Sequence, residues 1–346
     1  MRKFILLILA IVLVPVSISA KNISPVILTI KNYPMSEEEK AYLEQVNPYG
    51  FIFIEQDFRK HIDFVSLKQE LTDLLGHKIY FFVDQEGGSV NRLKHLFPEK
   101  KFPSAAYYGA MVGQRGLMKT KKSVFIKARE TARLLASIGM DVNLAPNAEI
   151  NPYGQNKFFK TRLYSQSPRI VRELSEAFAQ GTKAGGIEPC YKHFPGTARS
   201  QLDPHKLIPV IKNVTTQDLT RREFIPFKPA QNYNYLMMGH ALYPQIDKSN
   251  ISTFNPVFYQ FVRENLNFQG LIITDALNMR ATGKISIGDK IALSLSAGAD
   301  LAMPFFDYDM PFDERLEELN KIPPEIIEDF NNKLEEMEEI NPPLIE

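Results

Sequence analysis

Along the chain, short runs rich in β-branched and aromatic residues, bounded by Gly, Pro or Asn, alternate with longer stretches in which apolar positions recur every three to four residues. Runs of the first kind predict strands and stretches of the second kind predict helices, so their alternation argues for parallel βα units. Eight runs qualify: Pro25 to Ile30, Gly50 to Glu55, Lys78 to Val83, Asp141 to Leu144, Glu188 to Lys192, Tyr235 to His240, Gly270 to Thr274 and Asp300 to Met303. Helices are predicted over Ser36 to Val46, Asp63 to Leu75, Lys119 to Ile138 and Pro168 to Ala184, the first with Ser36 and Glu39 spaced as a capping box. The tail from Pro323 to Ile340 reads as an acidic amphipathic helix. No Gly- or Ser-rich linker and no fixed-period repeat divides the chain, and no GxGxxG follows the first run. The fold class expected is therefore α/β, a single-domain closed (β/α)₈ barrel over residues 21–346, in preference to an open doubly wound sheet.

In a barrel the chemistry sits at the C-terminal ends of the strands. The third run ends in Asp84-Gln85-Glu86-Gly87-Gly88, the fifth in Lys192-His193-Phe194-Pro195-Gly196, the sixth in His240 and the seventh in Asp275. Four strands thus deliver ionisable groups to one rim. An Asp that ends a strand often does no more than cap the next helix, but several converging carboxylates and cations favour a site. Asp275 follows an apolar run and emerges from it as a candidate nucleophile. Asp203 and His205 stand two residues apart, a spacing that turns both side chains the same way in extended chain and lets the carboxylate orient the imidazole as an acid and base. His240 reads equally well as a rim histidine satisfied by its neighbours.

Composition narrows the class further. Hydrophobic residues make up 44% and charged residues 23%, close to the globular average. Forty-one Lys and Arg against forty Asp and Glu leave no basic excess of the kind that phosphate-backbone binding requires, which argues against nucleic acid as a partner. The one cysteine, Cys190, excludes an intramolecular disulfide and any CxxC pair, and its apolar surroundings favour a packed thiol. At the start, Arg2 and Lys3 precede an apolar run from Phe4 to Val16 and small residues leading to Ala20, the layout of a secretory signal over residues 1–20. Cleavage after Ala20 is expected, with the protein secreted or periplasmic and no membrane association beyond that segment.

Four motifs in order, VDQEGG, KHFPG, Asp-x-His and ITDAL, resemble those of the glycoside hydrolase family 3 β-N-acetylglucosaminidases. KHFPG followed, eleven residues after its Lys, by Asp203-Pro204-His205 is the specific part of the signal. The resemblance implies Asp275 as nucleophile, His205 held by Asp203 as acid and base, and Asp84, Arg92, Arg162, Lys192 and His193 as binders of an N-acetylglucosamine unit. It implies a retaining exo-β-N-acetylglucosaminidase acting on cell-wall, peptidoglycan-derived glycans, with no metal or organic cofactor and as a monomer. A β-glucosidase-like or phosphorolytic enzyme of the same fold, or a secreted glycan-binding protein without catalysis, are the alternatives. The chain departs from the family at Ser89, where Arg is usual, at Thr197-Ala198, where His-Gly is common, and at Pro204, where Ser is usual. Trp is absent, so any stacking on a sugar falls to Phe or Tyr.

Overall fold

The computed structural model describes residues 22–60, 62–151, 159, 161–200, 202 and 206–340; the N-terminal apolar segment and the triplet Asp203, Pro204 and His205 lie outside the described residues. Seven of the eight runs form strands: β1 (Ser24–Leu28), β2 (Pro48–Phe53), β3 (Tyr80–Val83), β4 (Val142–Asn143), β5 (Glu188–Phe194), β6 (Tyr235–Met238) and β7 (Leu271–Thr274). They pair in chain order, every neighbour parallel, in one curled sheet.

The eighth run corrects the expectation of eight strands in a closed barrel: the described residues form a curled seven-stranded sheet with β1 and β7 at its edges, and the barrel is not closed. Leu301 makes a single bridge to Ile273 of β7 and Ala302 a single bridge to Val26 of β1. Thr274 N donates to Leu301 O at 2.9 Å, and Ile27 N to Ala302 O at 2.9 Å. A longer ladder is prevented at both ends. Asp300 turns its carboxylate to Arg263 (2.6 Å), Lys333 (2.6 Å) and the amide of Ile272 (2.6 Å), and Pro304 has no N–H to offer.

Strands buried on both faces read as continuous apolar runs, and that is what these are. Phe51, Phe53 and Phe81 point outward to meet Phe58 and Phe64 under the helices, whereas Ile52, Phe82, Val142, Cys190, Met237, Leu271 and Ile273 fill the interior. Cys190 is fully buried there, and burial pushes its thiol well above the usual range, in keeping with the packed-thiol reading.

The helices cover the sheet: α1 (Glu37–Val46), α2 (Glu55–Arg59), α3 (Phe64–Leu75), α4 (Ala105–Arg115), α5 (Leu117–Ser137) and α6 (Pro168–Ala184), followed by helices at Ile287–Ala297, Phe312–Leu319 and Pro324–Ile340. Ser36 caps α1 by accepting from Glu39 N at 3.1 Å. The other half of the expected capping box is missing, because Glu39 is buried and its carboxylate instead accepts from Lys31 N (2.6 Å) and Asn32 N (3.0 Å) in the preceding loop. Between β5 and β6, and again between β6 and β7, the described residues form short helical turns at 216–232, 252–254 and 256–265, the first interrupted by Pro226 and Pro229.

Candidate active site

The loop after β3 is built around one buried side chain. Gln85 exchanges hydrogen bonds with Asn143 of β4, its own N donating to Oδ1 (2.9 Å) and its O accepting from Nδ2 (3.0 Å). Its side-chain oxygen accepts from Arg92 N (2.7 Å) and Leu93 N (3.1 Å), so the chain leaves at Asp84 and is brought back with Arg92 beside it. Gly87, at φ 88°, makes the intervening turn; a Cβ there would sit 2.3 Å from Pro103 O, so only glycine fits.

This turn aims Asp84 and Glu86 at Lys192 on β5. Lys192 is 2% exposed, and its Nζ donates to Asp84 Oδ1 at 2.6 Å and lies 2.8 Å from Glu86 Oε1. Arg162 grips Glu86 with two parallel bonds, Nε to Oε2 at 2.9 Å and Nη2 to Oε1 at 2.7 Å. Arg92 lies 4.0 Å from Asp84 and 3.4 Å from Glu55, which also takes Lys94 and His95. Burial works against the charges on Glu86, Arg162 and Lys192, yet their partners win. Arg162 and Lys192 hold the Glu86 carboxyl well below the usual carboxylate range, while Asp84 and Glu86 hold the Lys192 ammonium above its ordinary value. Both arginines are therefore cavity residues rather than solvent-exposed ion pairs, at 16% and 14% side-chain exposure.

Asp275 follows β7 directly. Burial alone would raise its carboxyl; His193, His240, the amide of Ala276 (2.8 Å) and Lys192 together lower it, so the charged form is favoured. His240 takes the role of a rim histidine satisfied by neighbours, with Nδ1 2.5 Å from Thr253 Oγ1 and Nε2 3.1 Å from Ala276 O. It nonetheless lines the cavity, and burial pushes its imidazole toward the neutral form.

Sequence reasoning missed Glu149. It has no exposed side-chain surface and follows β4 after Pro146, where its carboxylate pairs with His193 Nδ1 at 2.6 Å. It also receives Thr197 N, Thr197 Oγ1 (3.1 Å) and Ala198 N (2.8 Å), so the Thr197-Ala198 departure from the family pattern is the other half of this contact. A carboxylate three residues beyond Asp141-Val142-Asn143-Leu144-Ala145-Pro146 was the available signal. Ser89, another departure, bonds Thr161 Oγ1 at 3.1 Å.

Asp84, Arg92, Arg162, Lys192, His193 and Asp275 thus line one cavity of about 360 Å³ at the C-terminal rim of the sheet. Its polar wall comes from the loop after β3 (Asp84, Glu86, Arg92), the segment after β4 (Arg162) and β5 itself (Lys192, His193); its apolar wall includes Ile52, Met237, Met279, Met303 and Phe305. The aromatic residues of this lining are Phe159, 2% exposed and under the Arg162 guanidinium, and Phe305, half-buried with φ 47°. Asp203 and His205 lie outside the described residues, so their expected place at this cavity carries over unchanged as a proposal.

A parallel βα sheet that gathers carboxylates and cations in one cavity at its C-terminal rim suits a glycoside hydrolase. Residues 26–332 match the glycosyl hydrolase family 3 N-terminal domain, and the chain belongs to that family. A β-hexosaminidase from Bordetella avium (strain 197N) is 27% identical over 310 residues, spanning 87% of this chain and 86% of the relative. A β-hexosaminidase from Methylococcus capsulatus is 28% identical over 266 residues, 76% of each chain. Among solved structures, NagZ from Neisseria gonorrhoeae in complex with N-trifluoroacetyl-D-glucosamine superposes with a TM-score of 0.78 at 24% identity over 90% of both chains. A family 3 β-N-acetylglucosaminidase from Paenibacillus sp. str. FPU-7 superposes with a TM-score of 0.77 at 21% identity; the alignment covers 91% of this chain and 61% of that larger one. At these identities the structural likeness establishes the fold.

Proposed function

We propose that this glycoside hydrolase is a retaining exo-β-N-acetylglucosaminidase that removes terminal N-acetylglucosamine from peptidoglycan-derived glycans outside the cytoplasm. The observation that carries the reading is Asp275, held charged at the wall of the same cavity that Asp84, Arg92, Arg162, Lys192 and His193 line. In the first step a carboxylate oxygen of Asp275 attacks the anomeric carbon, the glycosidic C–O bond breaks, and His205 gives its proton to the departing oxygen. In the second, His205 takes a proton from water, whose oxygen displaces Asp275 and restores the β configuration. Asp203 orients His205 throughout. The β-hexosaminidase names of the relatives and the N-acylated glucosamine bound in the Neisseria structure support the sugar. The single bridges from Leu301 to β7 and from Ala302 to β1 support reading the curled seven-stranded sheet as barrel-like, with the eighth run spanning its gap.

The test is turnover of chromogenic N-acetylglucosaminide and glucoside, each with and without phosphate, followed by trapping with a 2-deoxy-2-fluoro sugar. Hydrolysis specific to the N-acetylglucosaminide and a label on the peptide containing Asp275 are expected, with Asp275→Asn inactive and folded. Label on Asp84 or Glu86, inverted product, or Asp275→Asn turnover within tenfold of the parent would reject the mechanism. Phosphate-dependent cleavage would establish the phosphorolytic alternative.

A further inference from the structure

We infer that Glu149 is a positioning residue that decides which nitrogen of His193 carries hydrogen, and so presents His193 Nε2 to the cavity as a hydrogen-bond acceptor. The inference rests on the proposed sugar-binding role of His193. The two carboxylate oxygens of Glu149 have separate tasks. Oε2 receives three donors from the loop after β5: Thr197 N (2.5 Å), Ala198 N (2.8 Å) and Thr197 Oγ1 (3.1 Å). Oε1 is left for His193 Nδ1, 2.6 Å away.

Every group that meets this buried carboxylate can donate, and an ionised carboxylate can only accept. Nδ1 therefore carries the hydrogen. In the neutral ring Nε2 is then a lone pair, and it has no hydrogen-bond partner among the described residues while the ring lines the cavity. The neighbouring cavity groups Lys192, Arg92 and Arg162 are all donors, so a lone pair on this wall complements them: a sugar hydroxyl that accepts from one of those cations can donate its own hydrogen to His193. The same orienting logic applies to any histidine whose second nitrogen is claimed by a carboxylate.

Glu149→Gln tests this with almost no change in volume. The three donors on Oε2 demand an oxygen, so the amide must place its NH₂ opposite Nδ1. That NH₂ can only donate; Nδ1 must accept, the ring hydrogen moves to Nε2, and the cavity face of His193 changes from acceptor to donor. The measurement is the ¹⁵N shift pattern of the histidine-labelled full chain at pH 8, with His193 identified by its loss in His193→Gln. The parent and Glu149→Asp, which keeps the carboxylate, should show hydrogen on Nδ1, and Glu149→Gln hydrogen on Nε2. On an N-acetylglucosaminide, Glu149→Gln should lose ten- to a hundredfold in kcat/KM, mainly through KM, while melting close to the parent. Hydrogen on Nε2 or on both nitrogens in the parent, or a Glu149→Gln variant that loses activity with the ring hydrogen unmoved, overturns the inference. The ring signature is read without substrate: a parent inactive on every N-acetylglucosaminide would sink the proposed function and leave the hydrogen assignment standing. A Glu149→Gln chain that fails to fold leaves the parent and Glu149→Asp spectra to decide.

Discussion

Replacing Lys192 by Met removes the ammonium that Asp84 and Glu86 share and leaves two carboxylates facing an apolar thioether. The lysine is 2% exposed and pairs at 2.6 and 2.8 Å, so the loss is that of a buried partner, about 3–5 kcal/mol. The lower end applies here. Glu86 keeps its two bonds to Arg162, and Asp84, 23% exposed, retains water and Arg92 at 4.0 Å. At about 2 °C per kcal/mol for a chain of this size, a deficit of about 3 kcal/mol lowers the melting temperature by about 6 °C. The pH dependence has a definite sign. In the parent, the lowered Glu86 carboxyl contributes stability above the ordinary carboxylate range that is lost as pH falls through its depressed value. The raised Lys192 contributes stability that is complete below the ordinary lysine value and lost only as pH climbs through the raised one. The Glu86–Lys192 pair is thus charged on both sides across the middle of the range. In Lys192→Met the repulsion is relieved when one carboxyl takes up a proton, so the deficit should shrink between pH 7.5 and pH 4.5. Calorimetric melts of parent and variant at both values decide it. A variant within 1 °C of the parent at pH 7.5, or a deficit that grows toward acid, would refute the account of this cluster.

His205→Ala should lose much less glycosylation rate on substrates with activated leaving groups, which need little protonation, than on natural glycans; equal loss on both counts against His205 as the acid. Gly109→Ala places a Cβ 1.7 Å from Tyr164 O, forcing α4 away from the segment that carries Arg162. It should cost about 3 kcal/mol, at the upper end for overpacking, and raise KM, as checked by melting and steady-state kinetics. The native protein recovered outside the cytoplasm should begin at Lys21; N-terminal sequencing that finds an intact Met1 form confined to the cytoplasm would contradict the secretory reading.

What could be read from sequence follows from what the chain must do locally. α6 begins and ends where the pattern puts it, at Pro168 and Ala184, because Ser167 caps it, Pro168 sets its first turn and one apolar stripe runs its length. The strands were legible because burial on both faces leaves them almost wholly apolar. α4 was not anticipated: Ala105–Arg115 carries two glycines, and its helix is decided by packing against the Tyr164 segment rather than by propensity. Asp275, Lys192 and His193 were visible because they end apolar runs. Glu149 was not, since its partners are backbone amides and a histidine more than forty residues away, and nothing in the local pattern encodes that meeting. Glu39 shows the converse: the spacing predicts a capping box, and two amides of a half-buried loop, Lys31 N and Asn32 N, take the buried carboxylate instead.

Phe305 holds a backbone conformation that L-residues adopt at a cost of about 1–2 kcal/mol, whereas the other described non-glycine residues with positive φ are all asparagines. Backbone ease and cavity lining therefore pull this position in opposite directions. Directed evolution for heat resistance would favour glycine or asparagine at 305, and each such gain would strip the cavity of its half-buried aromatic surface in a chain that has no tryptophan to replace it. Backbone ease and aromatic cavity surface are thus opposed at a single position.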